Sequence, residues 1–148
     1  MTLERAIELR RGKRLVFTNG VFDILHAGHV TYLHRARQLG DLLIVGVNDD
    51  ASVRRLGKGP NRPIHRLEDR QTVLEALRAV DAAVAFSEDT PIELIRALQP
   101  NVHVKGGDYE AERLPETPVV RGYGGEVVIL PLLEGRSSTQ AIRGLGFE

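Results

Sequence analysis

Five short apolar runs, each separated from the next by enough chain for a crossover helix, constrain this sequence more than anything else in it. The runs are Arg14–Thr18, Asp41–Asn48, Ala82–Phe86, Val102–Val104 and Glu126–Leu130. The second, Asp41-Leu42-Leu43-Ile44-Val45-Gly46-Val47-Asn48, is apolar on both faces, as strands of a buried parallel sheet are. Between the runs lie helical patterns. Leu3, Ala6, Ile7 and Arg10 are spaced as a helix over Thr2–Arg11, with Thr2 as N-cap and Gly12 as stop. A second helix is expected from Ala27 to Leu39, ended by Gly40 at C′. Asn48-Asp49-Asp50 caps a short third through Leu56, a fourth covers Leu67–Val80, and Asp89-Thr90-Pro91 opens a fifth to Leu98 with Pro91 at N1. Lys105–Gly125 reads as irregular, and a last helix starts near Ser137. Strands that alternate with helices predict an α/β fold, a Rossmann-like, doubly wound, five-stranded parallel sheet, here a single domain over residues 1–148. Ligands of such sheets sit at the carboxyl ends of the strands, over the switch point. The loops after strands one, two, four and five lie on that edge.

Composition narrows the chemistry. There is no Cys, which excludes a disulfide framework, a thiolate nucleophile and a Cys-based zinc site. Lys plus Arg and Asp plus Glu balance at 20 each, so no overall field draws in nucleic acid. No apolar run reaches membrane-spanning length, and Met1–Arg5 has no signal-peptide core, so a cytoplasmic protein without a membrane partner is expected. Only 3 residues are Lys, at positions 13, 58 and 105, so a Lys here marks a place for a compact point charge.

The chemistry concentrates in Thr18-Asn19-Gly20-Val21-Phe22-Asp23-Ile24-Leu25-His26-Ala27-Gly28-His29, a strand-to-helix turn. His26 and His29, at i and i+3, share one face of the first helical turn. Unsatisfied N–H groups and the positive end of the dipole make that mouth a phosphate site. Lys58 stands in the turn-rich loop Gly57–Pro63, free to swing over bound phosphates. No Gly-x-x-x-x-Gly-Lys-Ser/Thr surrounds it, so this is no Walker loop. After strand four, Lys105-Gly106-Gly107-Asp108 lets a ligand approach the backbone, with Asp108 placed to accept from a ribose hydroxyl. Ser137, Ser138 and Thr139 open the last helix as a second phosphate cradle. His34, His65 and His103 carry no such context.

The stretch Gly20-x-Phe22-Asp23-x-x-His26-x-Gly28-His29 resembles the HxGH signature of the nucleotidyltransferases, in its cytidylyltransferase-like branch. Gly135–Thr139 is similar to that superfamily's second box, with Arg136 where an aliphatic residue is usual. The resemblance covers nearly the whole chain. It is greatest to the adenylyltransferases of ADP-heptose synthesis, through Thr18–Asp23, Leu39-Gly40-Asp41, Val45–Asp50, Asn61–Ile64, Glu88–Pro91, Val104–Tyr109 and Gly124–Val127.

The resemblance implies that AMP passes from ATP to D-glycero-β-D-manno-heptose 1-phosphate, with release of pyrophosphate and Mg²⁺ carried on the nucleotide phosphates rather than on protein ligands. The product would feed lipopolysaccharide or another surface glycan. In this reading His26, His29 and Lys58 are catalytic. Thr18, Asn19, Gly20, Phe22, Asp23, Gly28, Lys105, Gly106, Gly107, Asp108, Ser137, Ser138 and Thr139 hold the nucleotide, and Asn48, Lys58 and Arg70 meet the sugar phosphate. The charged form of the imidazoles is favoured by the phosphates beside them. The resemblance further implies a homodimer and a heptose kinase on a separate chain. The alternative within the class is a glycerol-3-phosphate cytidylyltransferase using CTP. Leu132-Leu133-Glu134-Gly135 and Gly106-Gly107-Asp108-Tyr109 depart from that enzyme's pattern. A binding module without turnover is the alternative outside it, against which the intact His26 and His29 argue.

Overall fold

The structure, a computed structural model, describes residues 1–131 and 142–145. The expected sheet is present: β1 (Leu15–Gly20), β2 (Leu42–Asn48), β3 (Ala82–Phe86), β4 (Val102–Gly106) and β5 (Glu126–Leu130) are all parallel, in the order β3-β2-β1-β4-β5. β1 is central, in register with Leu42–Val47 of β2 on one side and with Val102 and His103 of β4 on the other. The order reverses between β1 and β4, and the crevice there opens at the carboxyl edge.

Helices cover both faces. α2 (Ala27–Arg37) and α4 (Leu67–Glu75) lie on one, where Val16, Leu33, Leu43, Val45 and Leu74 form a core. α1 (Leu3–Arg10) and α5 (Ile92–Leu98) lie on the other, over Leu15, Phe17, Ile44, Leu94 and Ile95. β1 therefore serves both cores with alternate residues, as the period-two geometry of a strand requires. α3 (Asp50–Arg55) follows β2 at the carboxyl edge, with Asp49 Oδ1 accepting the Ser52 N–H at 2.8 Å. Gly46 sits where a Cβ would come within 2.8 Å of the Phe17 ring, which is why an otherwise apolar strand carries a glycine. The free edge of β3 is blocked at Ala83. Its N–H is accepted by Glu75, and its carbonyl accepts from Gln71 and the Met1 amine, leaving no bare ladder there for another chain.

Four local expectations change. The segment read as irregular contains a 3-10 turn at Ala111–Arg113 and α6 (Thr117–Gly122). Pro118 falls in the first turn of α6, where a missing N–H costs nothing. α4 ends at Glu75 rather than Val80, and the rest of that span is a turn. α2 ends at Arg37, so Gly40 is not a C′ glycine. It is small because Arg14 O would lie 2.6 Å from a Cβ there. Pro91 stands one position earlier than expected, as the N-cap of α5. The helix start expected near Ser137 lies outside the described residues.

Candidate active site

The turn from β1 into α2 is built around two imidazoles that act as its caps. His26 is the N-cap of α2, and its Nδ1 accepts the Gly28 N–H at 3.1 Å. His29 Nδ1 accepts the His26 N–H at 3.3 Å. The rings stack with centroids 3.9 Å apart and planes inclined by 29°. The hydrogen bonding fixes the tautomers. A neutral imidazole whose Nδ1 accepts carries its proton on Nε2. Each ring therefore offers one Nε2–H donor at the mouth of a helix.

Burial first, then repulsion from His26 once it is protonated and from Lys58, lowers the His29 pKa from 6.5 to about 4. The charged imidazole expected beside phosphates is thus absent when no phosphate is there. Burial and neighbouring positive groups favour the neutral ring, and a second proton on Nδ1 would abolish the cap. The sign of the pH effect follows. Above the unfolded-state pKa of 6.5 both states leave His29 neutral, and it has no influence. Between 6.5 and about 4 the unfolded chain binds a proton that the folded chain refuses, so stability falls as pH falls. In urea melts at pH 7.5 and pH 4.5, the wild-type protein is expected to lose more stability than His29→Gln. A variant with the same loss would show that His29 titrates normally in the fold.

The ring of Phe22 supports that of His29, with centroids 5.4 Å apart. Phe22 has φ 50, a left-handed backbone that a bulky residue rarely takes. Gly20 makes room for it: a Cβ there would lie 3.0 Å from the Phe22 ring. At the switch point, Tyr32 donates its hydroxyl proton to Val104 O at 3.1 Å. Thr18 Oγ1 lies 2.6 Å from the same phenol and must be the donor, since Tyr32 has no second proton. That relay joins β1, α2 and β4. Burial raises the pKa of Tyr32, so the phenol stays protonated.

Lys58 stands near His29. It is exposed, flanked by Gly57 and Gly59 at φ 68 and 135, and close enough for its charge to act on His29. The site thus gathers His26, His29 and Lys58.

Four other residues assigned to ligands are occupied by the protein itself. The Asp23 carboxylate is fully buried and accepts Arg62 Nε at 3.0 Å, Ile64 N–H at 2.7 Å and His65 N–H at 2.8 Å. Arg70, 1% exposed, donates to the carbonyls of His65, Val21 and Asn48 and to Asp50 Oδ1 at 2.7 Å. Asn48 is buried and donates to Ser52 Oγ at 3.0 Å. Thr18 is engaged by Tyr32. Thr18 and Asn48 support the site from beneath, while Asp23 and Arg70 hold these protein partners and also line the cavity beside α4.

Across the crevice, Lys105 ends β4 with its ammonium 5.0 Å from the Tyr109 ring centroid. Burial lowers its pKa, and the nearby Glu116 opposes that. Glu116 Oε2 lies 3.5 Å from Nε2 of the fully buried His103. Burial alone would raise the Glu116 pKa, but His103 and Lys105 together hold it below the usual carboxylate range. Gly107, at φ 110, makes the sharp turn after β4, and Asp108 is exposed. Asn19 Oδ1 is buried without a hydrogen-bond partner at the end of β1. Ser137, Ser138, Thr139 and Arg136 lie outside the described residues.

Between the histidine-bearing turn and α4 a cavity of about 500 Å³ is lined by Phe22, Asp23, Leu25, His65, Arg70 and Val73 among others. Two contributors were missed from sequence. Arg62 lay in the matching stretch Asn61–Ile64 but received no role, and Tyr32 had only its helical position as a signal.

Comparison with known proteins places this geometry. The cytidylyltransferase-like family model matches residues 17–141. A D-beta-D-heptose 1-phosphate adenylyltransferase of Bordetella bronchiseptica is 57% identical over 130 residues, 88% of this chain and 80% of that protein. The bifunctional protein HldE of Syntrophotalea carbinolica is 54% identical over 136 residues, which are 92% of this chain. The chain spans only 28% of that bifunctional relative's length. Among solved structures, a lipopolysaccharide core biosynthesis protein of Thermoplasma volcanium aligns with a TM-score of 0.68 at 30% identity. That alignment covers 84% of this chain and 100% of that one. Pantothenate synthetase of Thermus thermophilus shares the fold at a TM-score of 0.64 and 18% identity, over 95% of this chain and 65% of that one.

Proposed function

The chain belongs to the cytidylyltransferase-like family, and on that premise we propose that it transfers the adenylyl group of ATP to a heptose 1-phosphate, giving ADP-heptose and pyrophosphate. The observation that carries the reaction type is the pair of capping imidazoles, each locked as an Nε2–H donor at a helix mouth. The high identity to the heptose 1-phosphate adenylyltransferase supports the acceptor.

The acceptor phosphate is already ionised at neutral pH, so the step needs no general base. An acceptor oxygen attacks the α-phosphorus, and the bond to the bridging oxygen of pyrophosphate breaks in line. Two anions must meet, and charge grows on the α-oxygens and on the leaving oxygen. Preorganised donors and a nearby ammonium lower that barrier. His26 and His29 donate to the α-phosphate, and Lys58 neutralises charge as the acceptor closes in. The neutral His29 is already the donor required, so donation does not depend on prior protonation. Gly28 lets the phosphates approach the helix mouth. Across the crevice Asn19, Lys105, Gly106, Gly107 and Asp108 take the nucleoside, and the cavity beside α4 has the size a sugar phosphate needs. Among the described residues no three His, Asp or Glu gather to hold a metal. The groups present are nitrogen donors, which suit phosphate. Mg²⁺ would arrive on the nucleotide, where it neutralises phosphate charge.

A homodimer and a kinase on another chain complete the proposal. Among the described residues no helix is long and apolar enough to cross a membrane; a cytoplasmic location is part of the proposal.

The test is pyrophosphate release from ATP, CTP and GTP, each with heptose 1-phosphate and with glycerol 3-phosphate. ATP with heptose 1-phosphate is expected to exceed every other pair by about a hundredfold or more, the discrimination available when a site's polar groups match only one ligand. A melting shift with ATP but no pyrophosphate from any pair would leave a binding module.

A further inference from the structure

We infer that Asp23 is a positioning residue: it latches the loop that carries Lys58 onto the turn that carries the two histidines, and so sets where Lys58 stands over the reacting phosphates. The inference rests on the proposed reaction for its catalytic consequence, though not for its geometry.

Asp23 precedes His26 on the same turn, and its carboxylate side chain is fully buried. Three N–H groups converge on it, and all three come from the far end of the Lys58 loop: Arg62 Nε and the backbones of Ile64 and His65. Arg70 closes the other side of the joint. It holds the carbonyl of His65 together with that of Val21, which lies on the catalytic turn. The loop is thus clamped to the turn by a buried anion and a buried cation just past Lys58. On its near side the loop is joined to the end of α3, where the Gly57 N–H donates to Arg54 O at 3.2 Å. On its far side the Arg62 N–H donates to Gly59 O at 3.3 Å, and the clamp anchors Arg62 in turn. N–H bonds to a carboxylate are charge-assisted and stronger than neutral ones, so three of them fix the loop.

The readout is the titration of His29, followed by NMR in the full chain without substrate. Lys58 is one of the charges that hold this imidazole neutral, after burial and His26. If Asp23→Asn releases the loop, the pKa of His29 is expected to rise by about half a pH unit or more, the influence of one partly screened charge nearby. Removing a carboxylate would by itself move a histidine the other way, so the direction is diagnostic. Lys58→Ala is expected to give the same rise, and the double variant no more than either alone. With substrates, kcat of Asp23→Asn is expected to fall by about tenfold to a hundredfold, as for a misplaced catalytic group, with KM for ATP within about twofold.

A folded Asp23→Asn whose His29 titrates as in the wild type, or whose rise adds to that of Lys58→Ala, overturns the inference. Should Asp23→Asn fail to fold, Arg62→Gln loosens the same joint from the loop side and carries the same expectations. If the wild-type protein releases no pyrophosphate with any pair, the proposed reaction fails, while the His29 titration still decides the latch.

Discussion

Replacing His29 by alanine is expected to lower kcat by about a hundredfold or more, as the loss of one preorganised donor does at other transition states that develop charge. The fold should survive. His29 is only half-buried, and its structural duty is to accept the His26 N–H. That N–H lies at a helix mouth, where water can replace the cap, so the cost is about 1 kcal/mol. Because His29 of the free protein is a neutral imidazole with its pKa lowered to about 4, wild-type kcat/KM should not decline through deprotonation of His29 between pH 6 and 8. Pyrophosphate release and thermal melting on the same preparation separate the two effects. A His29→Ala enzyme of near-normal rate would remove the imidazole pair from the chemistry.

Arg70→Met is expected to do the reverse, damaging the fold first. Its guanidinium is buried and joins the catalytic turn, the end of β2, α3 and the loop that precedes α4. Methionine fills much of the volume but leaves three carbonyl groups without their donor and Asp50 without its partner. Breaking a buried ion pair from one side costs about 3–5 kcal/mol. For a chain of this length that is a fall in Tm on the order of 10 °C. Circular dichroism melts check it. A variant that keeps its Tm and loses only acceptor affinity would return Arg70 to the sugar phosphate as a direct contact.

That contrast shows what a sequence discloses and what it withholds. The five strands were legible because burial on both faces leaves a mark that short runs such as Leu42–Val47 carry openly. The histidine pair was legible because i, i+3 spacing is local. α6 was not, since Thr117–Gly122 is short and sits among proline and glycine residues that also punctuate loops. Asp23, Arg70, Asn48 and Thr18 were recognised as belonging to the site, but the protein groups they hold were not foreseen. A polar side chain near a signature looks the same whether it meets a ligand or a carbonyl from a distant segment. Val21 O and Asn48 O come together at Arg70 only after β1 and β2 have paired. Lys58 drew notice in the sequence because it is one of only 3 lysines and stands between glycines on the carboxyl edge. Its restraint by Asp23 could not be foreseen, because that restraint acts beyond Pro60, outside the lysine's own neighbourhood.

The left-handed backbone at Phe22 sets a trap for anyone engineering a hardier version of this protein. Glycine or asparagine at that position would relax the main chain by about 1–3 kcal/mol, yet the Phe22 ring is part of the core, and emptying its place costs about 3–5 kcal/mol. Both would also withdraw the aromatic shelf on which His29 leans, so relieving that strain would leave a protein both weaker and slower.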